Sequence, residues 1–156
     1  MSQPIFKKRA VALPGTSVGL RRYDLYKEAY ARIKLATQQG FYLEAITITE
    51  SLISDRLESR LSFVKKSDFS FKTLGALIKD INHHETDGEL KEIISSKLDE
   101  WRVSRNKAMH EIVKISETDT RSWVTRIGEL SSIAKEGLST LRTIDKRCAA
   151  LQKTNL

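Results

Sequence analysis

Both prolines of this 156-residue chain, Pro4 and Pro14, lie near its start, so from Tyr23 onward the strongest helix breaker is absent. No sustained alternation of apolar and polar residues signals strands. Apolar residues recur instead at spacings of three and four, the period of one helix face. The chain is long enough to bury a proper core as one domain, and the expected fold class is all-α: an antiparallel bundle of about five helices.

Residues 1–22 hold both prolines, Gly15 and Gly19, and read as an extended, partly mobile arm. Residues 23–156 form the helical domain. Tyr23 to Gln39 is the first helix, with Tyr23, Tyr26, Tyr30 and Ile33 as its apolar stripe and Gly40 as its stop. The second runs from Phe41 to Lys65 on a stripe of Leu43, Ile46, Ile53, Leu57, Leu61 and Val64, broadened by Ile48, Leu52 and Phe63. Glu50 falls inside that stripe, where a carboxylate needs a partner. Asp68 to Phe71 makes a turn, and a short third helix spans Lys72 to Ile81. Asn82 to Gly88 reads as a loop. A fourth helix spans Glu89 to Ser116, and a fifth Arg121 to Leu151, with Gly128 and Gly137 as points for a bend. Trp101 and Trp123 are expected to pack between helices.

The formal net charge is +7, and it is uneven. Residues 1–40 hold eight Lys/Arg against Asp24 and Glu28, a balance of +6 that leaves +1 for the rest. A basic arm beside a near-neutral body points to a polyanion such as nucleic acid, with Lys7, Lys8, Arg9, Arg21 and Arg22 as phosphate contacts. The competing reading is a solvated tail.

Cys148 is the only cysteine, which excludes a disulfide framework and a thiolate zinc site and fits a reducing compartment. No apolar run approaches a membrane span, and the opening MSQPIFKKRA lacks the apolar stretch of a secretory signal. The expected location is cytoplasmic, with no membrane partner. His83, His84, Glu85 and Asp87 are crowded together but lack the spacing of helical zinc pairs, so no metal and no cofactor is expected. No phosphate-cradling glycine loop, serine nucleophile elbow or dinucleotide fingerprint occurs.

The polar residues that resist a structural explanation are on the fourth helix. With Arg105 at zero on a helical wheel, Leu98 falls at about 20°, Met109 at about 40°, Arg102 at about 60° and Val113 at about 80°. Asn106 follows at about 100° and His110 at about 140°. One broad face thus mixes apolar side chains with two arginines, an asparagine and a histidine, and such groups persist when they are paired or perform chemistry. Arg105 and His110 diverge too far for one helix to focus both on a single phosphate. Two copies meeting across a two-fold axis remove that difficulty, so the spacing favours a composite site at a homodimer interface.

The string Arg105-Asn106-Lys107-Ala108-Met109-His110 resembles the R-x(4–6)-H signature of the HEPN superfamily, including the polar residue that follows the arginine. The second-helix segment Leu43-Glu44-Ala45-Ile46-Thr47-Ile48-Thr49-Glu50-Ser51-Leu52-Ile53 looks like that family's early helix, with Glu50 placed to meet the arginine. The resemblance implies a HEPN-like bundle and a metal-independent endoribonuclease of toxin or phage-defence type. The RNA 2′-hydroxyl would attack its own phosphate, leaving a 2′,3′-cyclic phosphate and a 5′-hydroxyl. In that scheme His110 moves the proton, Arg105 stabilises the transition-state charge, and Asn106 orients His110 or binds a phosphate oxygen. Glu50 fixes the arginine, while Arg102 and Lys107 add RNA contacts.

The resemblance further implies tRNA or mRNA as target and an antitoxin or sensor protein as partner. Family toxins paired with nucleotidyltransferases often carry a tyrosine two residues after the histidine. Here that position is Ile112, so silencing by adenylylation of such a tyrosine is not expected. The rival reading is a non-catalytic helical adaptor that uses the same face to bind protein or nucleic acid.

Overall fold

The computed structural model describes residues 9, 10, 12–66 and 71–154, and among them the fold is helical with no strand. Helix α1 spans Ser17–Gln39, α2 Tyr42–Lys65 and α3 Leu74–His84. Next come α4 (Gly88–Glu92), a π-helical segment (Ile93–Leu98) and α5 (Asp99–His110), running on as one rod. Helix α6 spans Trp123–Thr154. The described residues therefore make five rods.

Cross-links show their directions. Along α1, Arg32 meets Glu44 while Tyr26 and Arg22 meet Asp55, so α1 and α2 run antiparallel. The α4–α5 rod runs against α6, with Asp87 bonded to Arg147 and Trp101 bonded to the Ile133 carbonyl. It also opposes α2, as Arg60–Glu85 and Glu50–Arg105 show. Helix α2 is central and packs on α1, α3 and α6. Its Ile46, Ile53, Leu57 and Leu61 are fully buried, and each removes a side chain from water for about 2 kcal/mol.

The π-helical segment has a cause in the sequence. Leu90, Ile94 and Leu98 are spaced by four and all fully buried. At 3.6 residues per turn such a stripe would drift round the rod by about 40° at each step. A wider turn, with the Asp99 N–H bonded back to the Ile94 carbonyl, holds all three against the core. Trp101 continues the line, and Arg105 follows it one turn later.

Several expected boundaries shift. Helix α1 starts at Ser17, not Tyr23, because Thr16 caps it by accepting from the Gly19 N–H. Residues 17–22 are therefore helix rather than extended arm. Gly40, at φ 81°, supplies the left-handed turn that lets α2 begin at once. Helix α3 starts at Leu74 behind its Thr73 cap and continues through Asn82, His83 and His84. The expected loop shrinks to Glu85, Thr86 and Asp87, where Asp87 caps α4. Of the expected turn at Asp68 to Phe71, only Phe71 lies within the described residues.

The fourth rod ends at His110, not Ser116. Glu111 leaves helical geometry, and Arg126 from α6 donates to its carbonyl and to that of Arg121 at 3.0 Å. The Glu111 carbonyl also accepts the Lys114 N–H at 3.1 Å, so the chain tightens into a turn where the buried guanidinium meets it. Helix α6 runs from Trp123 to Thr154, starting and ending a little later than expected.

Some expected core residues lie outside. Tyr23 is 67% exposed at the outer edge of α1, while Tyr26 and Tyr30 turn inward to Asp55 and Asp145. Leu43 and Phe63 flank the α2 stripe and stay exposed. Trp101 is buried between helices, but Trp123 is 60% exposed at the first residue of α6. Gly137 contributes packing: a β-carbon there would stand 2.8 Å from the Trp101 indole.

Candidate functional site

Arg105 occupies the first position along the buried stripe of the α4–α5 rod where a charge replaces an apolar side chain. Its Nη2 donates to Glu50 Oε1 at 2.7 Å, and the two side chains are 14% and 28% exposed. The guanidinium lies 5.9 Å from the Trp101 ring. Its Nε is buried without a partner, and no described residue bonds Nη1. Glu50 therefore anchors one side of a fork whose other donors are unspent.

His110 closes α5. It is exposed, and no described residue bonds its ring. Five positions separate it from Arg105, about 7.5 Å along the axis and about 140° around it. Within one chain the two side chains therefore diverge, the arginine toward α2 and the imidazole toward solvent. Asn106 is half-buried and makes no hydrogen bond to His110. Arg102 is tied to Asp99 at 2.9 Å, which leaves it partly engaged. Lys107 is exposed, with no described carboxylate on it.

The basic arm divides. Lys7 and Lys8 lie outside the described residues. Arg9, whose side chain is 6% exposed, pairs with Asp55 at 3.2 Å and with Glu58 at 3.8 Å. Arg22 pairs with the same Asp55 at 3.4 Å. These two are drawn into the α1–α2 seam instead of standing free for phosphate. Arg21 remains exposed.

Two further polar networks stand away from Arg105. In one, Tyr26 and Tyr30 donate to Asp55 and Asp145, and Arg56 bonds Asp145 at 2.5 Å. Burial, followed by the adjacent carboxylates, raises both phenol pKa values, so these tyrosines stay neutral donors. In the other, Arg60 forks onto Glu85, and Arg147 onto Asp87, whose pKa is lowered to about 2 chiefly by that bond. The signal for Arg56 and Arg60 was their spacing of four beside Leu57 and Leu61 on the apolar stripe of α2. Arg126 carried no comparable local signal.

His83 and His84 face one another edge-on at 4.7 Å at the end of α3. Among the described residues no group of three or more His, Cys, Asp or Glu is placed to hold a metal ion. Cys148 is buried beside Arg56 and Arg60, and burial pushes its thiol up to about 11. No described helix is long and apolar enough to cross a membrane. No family model, curated protein or solved structure matches the chain.

Proposed function

We propose that this chain is a HEPN-like, metal-independent endoribonuclease that acts as a homodimer in the cytoplasm. The observation that carries the reading is the Glu50–Arg105 pair, beside an exposed His110 on the same helix. An arginine fixed through Nη2, with Nη1 unspent, is positioned to donate to a phosphate oxygen. An exposed imidazole at a helix end is free to take and return a proton.

The divergence of the two side chains is resolved by a second copy. Val113 follows His110 in the connector, and Val124 follows Trp123 at the start of α6; all three are at least 60% exposed. Arg126 ties that start of α6 to the connector. Apolar side chains clustered along this stretch suit burial against an identical surface. Two α5 ends brought together would place both histidines and both arginines about one cleft.

In that cleft one His110 takes the proton from the RNA 2′-hydroxyl as its oxygen attacks the adjoining phosphorus. The second His110 gives a proton to the departing 5′-oxygen. Arg105 holds the charge gathered on the non-bridging oxygens. The products are a 2′,3′-cyclic phosphate and a 5′-hydroxyl. Asn106, the residue after Arg105, and Arg102, nearly one turn before it, supply further phosphate contacts. By the same resemblance the enzyme is a toxin or defence effector acting on tRNA or mRNA, restrained by an antitoxin or sensor protein.

The exposed apolar residues also favour a second reading, a non-catalytic adaptor that covers them with a different protein. Expression in cells separates the two. The nuclease reading predicts growth arrest with fragmented RNA, both abolished by His110→Ala at unchanged protein level. An adaptor leaves RNA intact with either form.

A further inference from the structure

Beside the end of α5 the connector 111–122 folds into a cleft of about 600 Å³, within the range of small-ligand pockets. Lys107 and Lys114 line it, and no described carboxylate pairs with either. So does Glu111, whose carboxylate bonds no described residue. The hydroxyls of Ser116 and Thr118 complete this side.

The opposite wall is already satisfied. Arg121 forks onto Asp119 at 2.8 Å by both arms and reaches Glu129 at 2.7 Å. Two main-chain bonds between Ser116 and Asp119, at 3.1 and 3.2 Å, close the turn. Arg126, 3.6 Å from Asp119, offsets the second wall carboxylate, and the Ser116 and Thr118 hydroxyls pair with one another at 3.4 Å, so two ammonium groups and one carboxylate are left to meet a ligand. The cleft is formed before anything enters it.

Resting on the nuclease reading above, we infer that this cleft seats a nucleotide of single-stranded RNA next to the scissile bond, with its phosphate on Lys107 and Lys114. Glu111 directly follows His110 and accepts from the base. A carboxylate set against position 4 of the base accepts from the cytosine N4 amino group and meets the O4 acceptor of uracil instead. With Glu111 at that position, the cleft favours cytosine over uracil beside the cut.

The test uses the full chain with short 2′-O-methyl oligocytidine and oligouridine, which retain the base edges and cannot be cleaved. Wild type is expected to bind the cytidine strand roughly tenfold more tightly. Lys107→Ala with Lys114→Ala should weaken binding of both strands and lower the salt slope by about 1.4, at about 0.7 per phosphate contact. Glu111→Gln should narrow the preference between the strands while helicity is retained.

Cleavage of unmodified RNA by wild type is measured in parallel. If wild type cleaves but the lysine variant binds with unchanged affinity and slope, the cleft assignment is overturned and the nuclease stands. A wild type that cleaves with no preference against uracil overturns the role of Glu111. Wild type that neither binds nor cleaves removes the nuclease reading and the cleft assignment together.

Discussion

Arg105 Nη2 and Glu50 Oε1 meet at 2.7 Å across 55 residues of sequence, joining α5 to the middle of α2. Removing the carboxylate leaves a largely buried guanidinium short of its anion. Glu50→Ala is therefore expected to lower stability by about 1–2 kcal/mol, read as a denaturant midpoint shift at constant slope. His110→Ala, at an exposed helix end, should stay within about 0.5 kcal/mol of wild type. Equal costs for both would place His110 in a structural network that the geometry does not contain.

Gly137→Ala puts a β-carbon 2.8 Å from the Trp101 indole, whose Nε1 is fixed to the Ile133 carbonyl at 2.9 Å. The indole cannot retreat without losing that bond. A loss of about 1–3 kcal/mol is expected, with a change in near-ultraviolet dichroism as the tryptophan shifts. An unchanged midpoint and spectrum would mean the indole has room to move.

Asp87 connects pH to stability. The Arg147 bond lowers its pKa from 3.8 to about 2, so the contribution is complete above pH 3.8 and is lost as pH falls through about 2. Glu85 is also lowered: burial opposes this, and the Arg60 bond outweighs it. Asp87→Asn keeps a competent cap for α4 and removes only the charge. It should cost stability near neutral pH and progressively less as pH falls to about 2 and below, checked by denaturation across that range. A penalty independent of pH would mean that the ion pair is not its source.

The thiol of Cys148, pushed up to about 11 by burial, is less than about one part in a thousand thiolate near pH 7.5. Labelling by an aromatic disulfide should therefore follow unfolding, at a rate that rises with denaturant. Rapid stoichiometric labelling of the native chain would contradict the burial of α6 against α2.

What the sequence made legible was decided locally. Glu50 stood out because Ile46 and Ile53 bracket it, and Arg105 because Leu98 and Met109 share its face; both lie where two apolar stripes meet. Helix types followed from proline-free periodicity. The end of α5 was hidden because Glu111 to Ser116 reads as helix by itself. Arg126, from fifteen positions further on, bonds the Glu111 carbonyl where the helix gives way to a turn. The fate of the basic arm was hidden for the same reason, since Arg9 meets its carboxylate 46 residues away. Trp123 and Tyr23 were expected inside but face away from the core, Trp123 as the first residue of α6 and Tyr23 on the outer edge of α1.

The most direct test of the central claim is RNA cleavage by the purified protein in EDTA, with wild type beside His110→Ala and Arg105→Ala on total RNA. The account predicts fragments ending in 2′,3′-cyclic phosphate from wild type and none from either variant, although both remain folded and dimeric. Intact RNA in every lane from folded, dimeric protein, or cleavage that survives His110→Ala, would contradict it.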